Sequence, residues 1–142
     1  MCVFKIKGVK MLKVAKFIAI ASITIAAPLA HASMAIAIPQ STSGKVGQNI
    51  NIASMYQYRI ENNTSSFQNY VGFEELEVNG KKQQRPINFG LPAHGSKGSN
   101  GDMVSFGYTP TGTGTFKIRS SIKIMGMNGA AHNASADLKV TG

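Results

Sequence analysis

The chain has 142 residues, with 15 Lys and Arg against 6 Asp and Glu, a formal net charge of +9 and a single cysteine. Five of the cations, Lys5, Lys7, Lys10, Lys13 and Lys16, precede an apolar run from Phe17 to Ala27, so the charge that looks like a nucleic-acid signal belongs to a targeting segment. Cys2 lies in the same stretch, which excludes a disulfide, a thiolate nucleophile and a cysteine metal site from the rest of the chain.

Pro28 ends the apolar run, and Ala30-His31-Ala32 supplies the small residues that a signal peptidase requires. The run is too short for a transmembrane helix, which needs about 20 apolar residues. Residues 1–32 are therefore expected to be a cleaved signal peptide, and 33–142 a single exported domain with no membrane span. Ten basic residues then face six acidic ones, a net charge of +4, scattered except for Lys81, Lys82 and Arg85 beside a turn. No stripe of cations with interleaved aromatics marks a nucleic-acid face.

Met34, Ile36 and Ile38 alternate before Pro39, which reads as a short edge strand followed by a flexible Ser/Gly loop to Gly47. Ile50, Ile52, Tyr56, Tyr58 and Ile60 share one parity and predict a second strand, ended by the turn formers Asn62 to Ser66. Between Tyr70 and Val78 the apolar parity changes from Val71 and Phe73 to Leu76 and Val78, which predicts a β-bulge at Glu74-Glu75. Asn79-Gly80 is the strongest hairpin signal in the chain.

Ile87, Phe89 and Leu91 alternate after it, with Pro86 confining that strand to an edge. Ala93 to Asp102 reads as a flexible polar loop, and Val104, Phe106 and Tyr108 as the next strand. Phe116, Ile118, Ile122 and Ile124 then oppose Lys117, Arg119, Ser121 and Lys123 in the clearest alternation of the chain, a central strand with one buried face. Ser120 shares the inward parity and requires a hydrogen-bond partner there. A final strand carries Ala130, Ala134, Ala136, Leu138 and Val140 on one parity, and its small residues predict the close approach of another sheet or chain.

About seven strands, turns at short intervals and no helical period predict an all-β antiparallel sandwich. With Val104–Tyr108 in the place of strand E, the GTGTF corner leading into strand F at Phe116, and the last strand as G, the layout resembles a bacterial immunoglobulin-like domain. The resemblance implies an immunoglobulin-like sandwich without the paired cysteines or core tryptophan, and it implies no functional residues, because that fold hosts unrelated activities.

Candidate chemistry is sparse. Glu74 and Glu75 are adjacent on a strand and point to opposite faces, so they do not converge as a catalytic pair. His94 and His132 lack a third ligand at metal spacing. Ser96, His94 and Asp102 form a hydrolytic triad only on paper, in one polar stretch without a strand-fixed nucleophile. Neither Gly-rich segment, HGSKGSNGD or TPTGTGTF, precedes a helix or has a P-loop lysine. Tyr56, Tyr58, Tyr70 and Tyr108 read as core or rim residues rather than a tyrosine-rich paratope.

No catalytic, cofactor-binding or metal-binding residues are assigned. The expected function is a non-enzymatic periplasmic or extracellular sandwich that binds a protein or glycan. The alternatives are a structural or accessory subunit of a surface polymer, joined through the Ala-rich last strand or the proline-limited edge, and a small hydrolase or metal enzyme using His94 or His132.

Overall fold

The computed structural model describes residues 33–142; the expected signal peptide lies outside the described residues. Eight strands run in the order β1 (Met34–Pro39), β2 (Thr42–Lys45), β3 (Ile50–Glu61), β4 (Gln68–Val78), β5 (Lys81–Leu91), β6 (Ser96–Tyr108), β7 (Gly114–Met125) and β8 (Ala130–Thr141). They form a three-stranded sheet, β1-β3-β6, and a five-stranded sheet, β2-β8-β7-β4-β5. With β3 and β6 as B and E, β4 and β5 as C and C′, and β7 and β8 as F and G, this order is that of an immunoglobulin-like sandwich with no strand at position D. Among the described residues no helix is long and apolar enough to cross a membrane.

The central strand lies where its alternation puts it. β7 is flanked by β4 and β8, and Ile118, Ser120, Ile122 and Ile124 are buried while Lys117, Arg119 and Lys123 are exposed. Phe116, near the strand end, is only half-buried against the core. The inward side chains of both sheets close a core that includes Ile52, Tyr56, Ile60, Tyr70, Leu76 and Leu138.

Asn79 and Gly80 have φ of 48° and 84°, and Val78 pairs with Lys81, the geometry of a two-residue type I′ turn. β5, with Pro86, is the outermost strand of its sheet, as its proline requires.

Four expectations are corrected. The Ser/Gly loop contains β2, which pairs in parallel with β8 across Thr42–Lys45, so the sandwich has eight strands and is not wholly antiparallel. After Pro39 the chain leaves the small sheet for the large one.

β1 buries Ala35 and Ala37, not Met34, Ile36 and Ile38. β1 lies close enough to β8 for the Ala37 N–H to donate to His132 Nδ1 at 3.0 Å, and the small Ala35 and Ala37 side chains are the ones that enter the core. The close neighbour that the alanines of β8 imply is therefore β1 of the same chain.

No bulge interrupts Glu74-Glu75. The pairing of β4 with β5 and β7 is continuous, and Tyr70, Glu74, Leu76 and Val78 all face inward. The parity shifts on paper because Glu74 occupies a core position and Val71 and Phe73 face out.

Finally, Ser96–Asp102 is the first half of β6 and not a loop. It has no apolar anchor because it is held by its backbone against Tyr56–Glu61. The register shift falls here, where Asn100 and Gly101 oppose Gln57, and Gly101 supplies the positive φ of 76° that such a bulge uses.

Candidate functional site

The paper constellations do not assemble. Ser96 and Asp102 stand six residues apart along β6, roughly 20 Å at about 3.3 Å per residue. His94 lies in the preceding turn, at φ 59°, with its N–H bonded to the Thr64 carbonyl. His132 is exposed on β8, and its Nδ1 is the acceptor for Ala37. Among the described residues no group of three or more His, Cys, Asp or Glu is gathered for a metal ion. The turn former Asn62 is structural: it is 1% exposed, and its side chain bonds the Ser66, Leu91 and Pro92 carbonyls and the Thr64 N–H.

Two polar clusters lie inside the sandwich. Tyr56 donates its only O–H to the Glu75 carbonyl at 2.6 Å, so the Ser120 hydroxyl must donate to the Tyr56 oxygen at 2.9 Å. Ser54 then donates to Ser120 at 2.6 Å. This one-way chain, Ser54 to Ser120 to Tyr56 to Glu75, ties β3 of the small sheet to β7 and β4 of the large one. It also gives Ser120 its required partners.

Glu74, 1% exposed, places Oε1 against Arg85 on the directly opposite position of β5, 2.8 Å from Nε and 2.6 Å from the terminal nitrogen. Oε2 has no partner. Burial pushes the Glu74 carboxyl up, and Arg85 opposes that shift. Burial likewise raises the phenols of Tyr56, Tyr58 and Tyr70. Tyr58 and Tyr70 both stack on Phe89, at 6.0 and 5.4 Å.

The outer face of the five-stranded sheet offers the clearest recognition surface. Two cross-strand rows, Glu75-Ser121-Asn133 and Glu77-Arg119-Ser135, stand side by side around a depression floored by Ser120 and Ala134. Glu75 pairs with Lys82 at 3.4 Å, and Glu77 accepts the Gly80 N–H. Among the described residues Arg119 makes no ion pair, although it lies opposite Glu77 in the register.

Farther along the same face the surface turns apolar. Val71 and Met125 are cross-strand partners, 45% and 44% exposed. Phe67, 62% exposed, lies over Gly90, where a Cβ would collide with its ring. The sequence signal for this surface was the parity of β7 together with the outward Val71, which the expected bulge concealed.

No family model and no curated protein matches the chain. Among solved structures, the ASH / PapD-like domain of human CEP192 (PapD-like domain 7) is similar to it at 12% identity and a TM-score of 0.36, over 75% of this chain and 84% of that one.

Proposed function

We propose that this chain is an exported, non-enzymatic binding domain that engages a protein or glycan through the outer face of its five-stranded sheet. The observation that carries the reading is the unpaired Arg119 in a depression of carboxylates, hydroxyls and an amide, on the same sheet face as the exposed Val71, Met125 and Phe67. Guanidinium and carboxylate groups on rigid strands present fixed donors and acceptors to sugar hydroxyls or to a partner's polar rim. The apolar end supplies area that a partner would remove from water.

The test compares the wild-type domain with Arg119→Glu and Val71→Glu in glycan-array binding and in capture from an envelope extract. The reading expects a ligand that wild type retains and both variants lose. Equal capture by all three proteins, or none by wild type, would overturn it.

A further inference from the structure

The three-stranded sheet stops at β6, while the sheet facing it extends one strand farther, to β5. The register measures that step. Glu74, Leu76 and Val78 of β4 are buried, yet their partners Arg85, Gln83 and Lys81, which share the inward parity of β5, are exposed. Farther along β5, Ile87 and Leu91 of the same inward parity are buried and Lys97 of β6 lies over Phe89, so the cover supplied by β6 fails only over the first half of β5, Lys81–Arg85, whose inner face overhangs beside Met103–Tyr108. An added strand beside β6 would lie on that overhang.

The second half of β6, from Met103 to Tyr108, has neither charge nor proline, the features that usually protect an edge. Protection comes instead from the opposite sheet. Lys81 reaches from β5 to donate its ammonium to the Gly107 carbonyl at 2.7 Å and lies over the Phe106 ring at 5.6 Å. Asn79 Nδ2 donates to the Tyr108 hydroxyl at 2.9 Å. Lys81 meets no carboxylate among the described residues.

The geometry points to the Met103–Tyr108 edge of β6 as a docking site for an extended segment of a partner protein, carrying carboxylates on alternate residues and latched shut by Lys81 in the free domain. A carboxylate on the incoming strand would take the Lys81 ammonium from Gly107, and the strand's backbone would extend the ladder. Charge complementarity selects this occupant, because the cation at the step is otherwise held only by a carbonyl and a ring. The surface is distinct from the outer face of the large sheet, so the two readings fail independently.

The probes are two synthetic octapeptides, one alternating Glu and Val and one alternating Lys and Val, tested by amide hydrogen exchange on the folded domain. The Glu/Val peptide should slow exchange at β6 amides between Met103 and Tyr108 by roughly tenfold or more, and the Lys/Val peptide should not. Lys81→Glu should reverse that preference, while Lys97→Glu, at the far end of β6, should leave it intact. Equal protection by both peptides, none by either, or an unchanged preference in Lys81→Glu would overturn the proposal. So would concentration-dependent protection of β6 without peptide, which would make a second copy of the chain the occupant.

Discussion

The hydroxyl chain through the core makes a quantitative prediction. Ser54 and Ser120 are buried, and each holds a hydrogen bond that crosses between sheets. Ser120→Ala removes the donor to Tyr56 and the acceptor of Ser54. Tyr56 keeps its bond to Glu75, and Ser54 can turn only to the Met55 carbonyl at 3.3 Å. At a net 0.5–1.5 kcal/mol per bond, plus part of the penalty for a stranded hydroxyl, the loss should be about 1.5–3 kcal/mol.

Ser54→Ala strands no donor and should cost about 0.5–1.5 kcal/mol. The double variant has no orphaned hydroxyl at either serine, so it should cost about 1 kcal/mol less than the sum of the singles. Urea denaturation of the four proteins, with unchanged m-values, gives the cycle. Singles that add within about 0.3–0.5 kcal/mol, or a Ser120→Ala loss below that range, would refute the one-way chain.

Three further outcomes follow from the geometry. Arg85→Ala should cost about 2–4 kcal/mol at neutral pH, less than a fully buried pair because Arg85 partly meets water. That loss should shrink on acidification, since the raised Glu74 carboxyl binds its proton more readily in the fold than unfolded, and denaturation midpoints against pH check the sign. Gly80→Ala should cost about 1–2 kcal/mol through positive φ alone, because its added Cβ meets nothing, whereas Gly112→Ala, in equally open space without that φ, should stay within about 0.5 kcal/mol by thermal melting. With the Tyr56, Tyr58 and Tyr70 phenols raised by burial, stability should be full below about pH 10 and fall as pH rises through their folded values, and tyrosinate absorbance should rise together with unfolding.

β7 was legible because one side chain in two is apolar and Ser120, the exception, is small enough to turn inward and be bonded there. The hairpin at Asn79-Gly80 was legible because few residue pairs accept its dihedrals. Glu74 was not, because a carboxylate reads as outward until the residue directly across from it on the next strand is known to be Arg85. β1 misled for the opposite reason: Ile36 and Ile38 are larger than Ala35 and Ala37, yet it is the alanines that face the core, where β8 lies close enough for His132 to accept the Ala37 N–H. The first half of β6 is held by backbone pairing, which leaves no apolar period to read. The recognition face was visible only as a set of polar outward positions; the neighbours of Arg119 come from three strands and required the register.

The most direct test of the sandwich as drawn is native-state amide exchange along β3 and β6, without any ligand. β3 is paired on both sides across Ser54–Arg59 and should be protected at successive residues there. β6 should alternate, slow where its amides face β3 and fast where they face the open step beside β5. Uniform protection along β6 would mean that another strand already covers that edge, and would contradict a three-stranded sheet that ends there.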